Sequence, residues 1–73
     1  MVGYQVWLTH RLGGGFPDLV VGHPKTNILM EVKTEGGKLN DLEQLFFDTW
    51  TGPCFVVHNT EEALEAIRKT IRR

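Results

Sequence analysis

Apolar and polar positions nearly alternate along residues 4–9, which is the two-residue period of a β-strand. Glycines at 13–15 interrupt this stretch. An apolar stretch at 19–21 and a strand-like stretch at 27–34 follow, and turn-forming residues at 22–26 separate them. The pattern therefore predicts one strand followed by a β-hairpin.

The second strand of the predicted hairpin has two different faces. Alternation places Ile28, Met30 and Val32 on one face, and Leu29, Glu31 and Lys33 on the other. The two charged residues of this strand, Glu31 and Lys33, are therefore expected to project to the same side of the sheet.

The second half of the chain shows helical periodicity on either side of a short apolar stretch. Asn40 is a good N-cap, and the helix after it should run to about Trp50 and end at Gly52 and Pro53. The stretch 54–57 predicts a buried strand. Thr60 is expected to cap a last helix, whose core face would hold Leu64, Ile67 and Ile71, with Ala63 and Ala66.

The order strand, hairpin, helix, strand, helix predicts an α/β fold with a small mixed sheet and two helices. In this arrangement the last strand joins the hairpin through a right-handed crossover. At 73 residues the chain is expected to form a single domain. The first helix is apolar over more than one face, because Phe47 and Trp50 widen the stripe formed by Leu42, Leu45, Phe46 and Thr49.

Composition narrows the class of protein. The 41 % hydrophobic and 23 % charged residues are typical of a folded globular chain. The single cysteine, Cys54, cannot form an internal disulfide, which argues against a secreted disulfide-rich domain. The chain contains neither an apolar run of about 20 residues nor a secretory pattern at its start, so a cytoplasmic location is expected.

The net charge is −1, but half of the eight basic residues lie in the last six positions: Arg68, Lys69, Arg72 and Arg73. These residues can be the solvated end of a helix, where cations favour the helix dipole. They can also be a patch that contacts nucleic-acid phosphates. Charge alone does not decide between the two interpretations.

Three charged residues fit a core role poorly: Asp18, Glu31 and Lys33. Pairing of the two hairpin strands would bring Asp18 and Glu31 close together, and two adjacent carboxylates repel unless a cation lies between them. Carboxylates completed by water and phosphate oxygens suit Mg²⁺. Lys33 could reach the same point. The alternative is an exposed Glu31–Lys33 ion pair, with Asp18 as a turn residue.

The stretch from Gly13 to Gly22, which contains Phe16-Pro17-Asp18, followed by Ile28 to Lys33, resembles the PD-(D/E)XK nuclease superfamily. More narrowly, it is similar to the virus-type replication-repair nuclease (VRR-NUC) family. The likeness covers nearly everything from Gly13 to Ile67. It continues through Lys38-Leu39, residues 43–50, Gly52-Pro53, Phe55 to Val57 and Glu61 to Leu64.

The resemblance implies a restriction-endonuclease-like core and a Mg²⁺- or Mn²⁺-dependent DNA endonuclease of phage or repair origin, acting on branched or otherwise structured DNA. It implies that Asp18, Glu31 and the backbone carbonyl of Val32 bind the metal, and that Lys33 positions or activates the attacking water. Gln44 falls where similar nucleases carry a helix glutamine, although the adjacent Glu43 could occupy that position instead.

One departure from the family is expected to affect activity. Family members usually begin with a helix that supplies another acidic residue, and only Met1 to Gly3 precede the first strand here. Two alternatives to a working nuclease therefore stay open: a DNA-binding or scaffold module that cleaves poorly, and a small interaction domain with a fortuitous acid-x-Lys strand. The broad apolar stripe of the first helix and the short chain predict a homodimer.

Overall fold

The computed structural model of the chain describes residues 5–72, apart from the side chain of Arg11. It has a four-stranded mixed sheet and two α-helices, as the sequence pattern predicts. In chain order the elements are β1 (Gln5–Leu8), β2 (Leu19–His23), β3 (Thr26–Val32), α1 (Asp41–Thr49), β4 (Cys54–Val57) and α2 (Thr60–Ile71). A 3₁₀-helix that the pattern did not predict, His10–Leu12, follows β1. Tyr4, the predicted start of β1, lies outside the described residues.

The sheet has the order β1-β2-β3-β4, and its first three strands are antiparallel. The predicted hairpin is confirmed: β2 and β3 are joined by a two-residue turn at Pro24 and Lys25. The register pairs Leu19 with Met30 at the other end of the hairpin. This register places Asp18, one residue before β2, across from Glu31.

Strand β4 runs parallel to β3, and helix α1 lies in the connection between them. The backbone N–H groups of Leu29 and Lys33 donate to the carbonyls of Pro53 and Val57, each at 3.0 Å. Because alternate residues of a strand direct their backbone groups to opposite sides, those of Val32 are directed toward β2.

The hydrophobic core lies between α2 and one face of the sheet. Its buried members are Val21, Ile28, Met30, Val57, Ala66 and Ile67. The predicted core face of α2 is correct for Ile67 and Ala66 but wrong for Leu64, which is 38 % exposed. The predicted cap is also wrong: Asn59, not Thr60, is the N-cap, and its side chain accepts a hydrogen bond from the Glu62 N–H.

Helix α1 begins with a capping box, in which Asn40 and Glu43 each accept a hydrogen bond from the other's backbone N–H at 2.9 Å. Its contact with the loop before β2 is close. A Cβ on Gly15, whose φ is +87°, would collide with the Leu42 carbonyl. The Phe16 ring packs edge-on against Phe46. The glycine therefore allows the loop to pass against the start of α1.

Within residues 5–72, each helix is too short or too polar to cross a membrane.

Candidate active site

Hydrogen bonds from the segment after β1 hold Asp18 in place, one residue before the start of β2. The Thr9 N–H donates to the Asp18 carbonyl at 2.6 Å, and the Thr9 hydroxyl donates to the carbonyl of the buried Pro17 at 2.7 Å. The Asp18 carboxylate accepts a hydrogen bond from the Val32 N–H at 3.0 Å. The Asp18 carboxylate therefore takes the place of a backbone carbonyl as the acceptor for the Val32 N–H, beyond the point where β2 pairs with β3.

Glu31 is a buried carboxyl on the face of β3 opposite the α2 core. The residue is 3 % exposed, and its Oε1 has no hydrogen-bond partner among the described residues. Burial, then a hydrogen bond shared with the Glu43 carboxyl, then the charge of Asp18 raise the pKa of Glu31 to about 7. A buried oxygen without a partner is costly, so this position favours a ligand that supplies positive charge.

The Lys33 side chain extends to the buried Glu31 carboxyl. Its Nζ lies 2.9 Å from Glu43 Oε1 and 3.5 Å from Glu31 Oε2, and its side chain is 21 % exposed. The hydrogen bond to Glu43 is the largest of the causes that raise its pKa above the usual lysine value. Lys33 is therefore an ammonium ion at neutral pH, able to donate hydrogen bonds but not to accept a proton.

Glu43 brings a third carboxylate to this place, from helix α1. Its side chain accepts the Asn40 N–H and the Lys33 ammonium, and both contacts lower its pKa. We call Asp18, Glu31, Lys33 and Glu43 the acid–lysine cluster. The sequence contained a signal for Glu43, since an asparagine followed three residues later by glutamate is a capping box that draws the glutamate back toward the helix start.

The structure places Gln44 elsewhere. The Gln44 side-chain amide donates to the Asp48 carboxylate at 2.9 Å on the exposed side of α1. Of the two adjacent positions that the resemblance left open, it is Glu43 that lies in the acid–lysine cluster. Cys54 is not a nucleophile candidate, because burial and then the charge of Glu31 raise the pKa of its thiol to about 11.

The donors of the acid–lysine cluster suit a hard cation. Asp18 and Glu31 supply carboxylate oxygens, and the Val32 carbonyl faces the same side of β3 as the Val32 N–H that Asp18 binds. The unpartnered Oε1 of Glu31 is the atom that a cation would satisfy. In the described part of the chain, no three His, Cys, Asp or Glu residues are already arranged around a common metal position. Carboxylate and carbonyl oxygens are the types of donor that Mg²⁺ takes together with water and substrate oxygens.

Two histidines and the arginines at the end of α2 pair with nearby residues. His58 contacts Glu62 at 2.8 Å, and His23 accepts a hydrogen bond from the Lys25 N–H. At the end of α2, Arg68 and Arg72 both pair with Glu65. Arg73 lies outside the described residues.

A comparison with protein families, with curated proteins and with solved structures finds no match to this chain.

Proposed function

We propose that this chain is a metal-dependent DNA endonuclease that hydrolyses phosphodiester bonds at the acid–lysine cluster. The observation that carries the proposal is the buried Glu31 carboxyl, whose Oε1 has no partner in the described residues, beside Asp18 and Lys33. The motif resemblance to VRR-NUC nucleases supports a restriction-endonuclease-like core. It also supports branched or otherwise structured DNA as the substrate.

Asp18, Glu31 and the Val32 carbonyl are the groups that would hold Mg²⁺ or Mn²⁺. Such an ion supplies positive charge to the scissile phosphate and makes a bound water easier to deprotonate. Lys33 donates hydrogen bonds from its ammonium group to the attacking water or to a phosphate oxygen. As an ammonium ion, Lys33 would orient the water and stabilise negative charge.

The decisive test is cleavage of labelled four-way and flap junctions by the purified chain with Mg²⁺, Mn²⁺ or EDTA. We expect cleavage with either metal and none in EDTA. Isothermal titration should show Mn²⁺ binding that Asp18→Ala or Glu31→Ala abolishes, whereas Glu35→Ala, which removes an exposed loop carboxylate, should leave binding intact. Unchanged Mn²⁺ binding in both site variants would refute the assignment.

The same assay distinguishes an active nuclease from the alternative, a DNA-binding or scaffold module that retains the nuclease fold and cleaves poorly. The lack of a ready-made three-residue metal group within residues 5–72 is the observation that favours this alternative. Tight binding of junction DNA with no cleavage in Mg²⁺ or Mn²⁺ would identify it.

A further inference from the structure

Glu43 has more contacts than a helix cap requires. A capping box needs only the exchange of hydrogen bonds between Asn40 and Glu43, and both are present at 2.9 Å. The same Glu43 Oε1 also lies 2.9 Å from the Lys33 ammonium, and the side chain is only 14 % exposed. A capping residue on a solvated helix face would not be covered by another element in this way.

The contact links the end of β3 to the start of α1, the next element in the chain. Lys33 follows the last residue of β3, and Glu43 lies in the first turn of α1. A lysine ammonium sits on a flexible four-carbon stem, so its position is poorly defined without a fixed partner. The capping box fixes the Glu43 carboxylate, and this carboxylate in turn fixes Lys33.

Glu31 alone cannot fix the position of the Lys33 ammonium. Its Oε2 is 3.5 Å from Lys33 Nζ, which is a longer contact than the one to Glu43. A divalent cation held by Asp18 and Glu31 would also repel the ammonium group and compete for the same carboxylate. Glu43 is the remaining negative charge in contact with Lys33 among the described residues.

We infer that Glu43 is the positioning residue of the site, which holds the Lys33 ammonium at the reacting phosphate through a capping box that also begins helix α1. The inference rests on the proposed nuclease function, because phosphodiester cleavage is the reaction that Lys33 would serve. Glu43 is not placed among the metal ligands, so its loss should reduce turnover without weakening metal binding.

The test uses Glu43→Gln, because glutamine also completes a capping box but carries no charge. We expect cleavage of the junction substrate to fall about 10- to 100-fold, as for other residues that orient a reacting group. The Mn²⁺ affinity from calorimetry should not fall, and the thermal midpoint should stay close to that of the unaltered chain. Asn59→Ala is the matched control, since it removes the cap of α2, a hydrogen bond from the Glu62 N–H, and leaves the side chains of the acid–lysine cluster unaltered. It should lower the midpoint by about 4–8 °C and retain cleavage at a permissive temperature.

A second measurement does not depend on cleavage of DNA. In the metal-free protein, the Lys33 ammonium held by two carboxylates should exchange slowly with water and give a ¹H–¹⁵N signal at low temperature, assigned by its absence in Lys33→Met. Glu43→Gln should remove that signal. Persistence of the signal, cleavage unchanged by Glu43→Gln, or a loss of Mn²⁺ affinity in parallel with cleavage would each overturn the inference. If the unaltered chain fails to cleave, the nuclease proposal fails, and the ammonium signal still decides whether Glu43 positions Lys33.

Discussion

The environment of Glu31 should make the stability of the metal-free protein depend on pH, because some contacts favour the neutral carboxyl and another favours the charged form. Burial, the Glu43 carboxyl and the charge of Asp18 favour its neutral form, and only Lys33 favours the charged form. In the unfolded chain the same carboxyl is solvated and ionises at its usual value of 4.5. Between pH 4.5 and 7, the folded state therefore binds more protons at this residue than the unfolded state does.

The sign of the pH dependence follows from this difference. Without metal, the free energy of unfolding should fall as pH rises from 4.5 to 7, by on the order of 1 to 2 kcal/mol after allowance for solvent screening. The lowered pKa of Glu43 acts in the opposite sense but in a lower pH range, where that carboxylate itself titrates. Urea denaturation of Glu31→Gln across this range should show a flatter profile than the matched control Glu35→Gln. A profile that rises with pH in the unaltered chain would contradict the buried position of Glu31.

The proposed role of Lys33 can be separated from that of the proposed metal ligands by substitution. Lys33→Ala should retain Mn²⁺ binding in calorimetry and lose about 100-fold or more of the cleavage rate, because it removes a donor aimed at developing negative charge. Lys33→Arg should not restore full activity, since a planar guanidinium presents its donors differently from an ammonium. Lys25→Ala, at the far end of the hairpin, serves as the control. Full activity in Lys33→Ala would remove this residue from the mechanism.

At the scale of elements, the two helices begin in the same way, each with an asparagine whose side chain accepts the N–H three residues later. In α2 the neighbouring Thr60 is the first helical residue and leaves the cap to Asn59. Both residue types are good caps, so the sequence pattern alone does not separate the two positions.

Substitution distinguishes the two candidate caps of α2. Asn59→Ala should lower the free energy of unfolding by about 1 kcal/mol, because the Glu62 N–H loses its partner. Thr60→Ala should change it by less than about 0.5 kcal/mol, as an exposed helical position does. Chemical denaturation measures both values. A larger effect at Thr60 would show that the helix begins one residue later.

The loop before β2 and the start of α1 are in contact through Gly15. Gly15→Ala should destabilise the chain by about 2 to 4 kcal/mol, because its new Cβ would meet the Leu42 carbonyl and because φ is +87°. Gly14→Ala is the matched control: φ is +62° there, but the space around a Cβ is open. The difference between the two variants isolates the contact with α1. Equal losses would show that the loop does not pack against α1.

At the scale of the whole molecule, the two faces of the sheet are covered unequally. Helix α2 packs on the core face, whereas each residue of α1 is at least partly exposed. Leu42 and Leu45 of α1 are 57 % and 58 % exposed, and Trp50, which stacks on Phe46, is 45 % exposed. Exposed apolar side chains clustered on one helix are typical of an interface.

We therefore predict that two copies of the chain associate through α1. Light scattering at micromolar concentration should give about twice the 8.3 kDa mass of one chain. Leu45→Glu should reduce the mass to that of one chain without unfolding it, whereas Leu64→Glu, at an exposed position of α2, should not. Leu45 is a better probe than Trp50, because the Trp50 ring also stacks within its own chain. A monomer mass for the unaltered chain would refute the dimer.

Local chemistry in the sequence determined most of the elements. The hairpin follows from two apolar stretches around Pro24 and Lys25, α1 from the Asn40 cap, and β4 from the apolar stretch 54–57, since each depends on neighbours in the chain. The common face of Glu31 and Lys33 also follows from the two-residue period of a strand. These features need no knowledge of long-range contacts.

Only the tertiary structure decided what the charged residues contact. That Asp18 binds the Val32 N–H depends on the hairpin register, and that Glu43 rather than Gln44 joins Lys33 depends on how α1 lies over the sheet. The exposure of Leu64 likewise depends on the rotation of α2 about its own axis. A sequence pattern specifies which residues share a face, but contacts between elements depend on register and packing angle, which the combined packing of the whole chain determines.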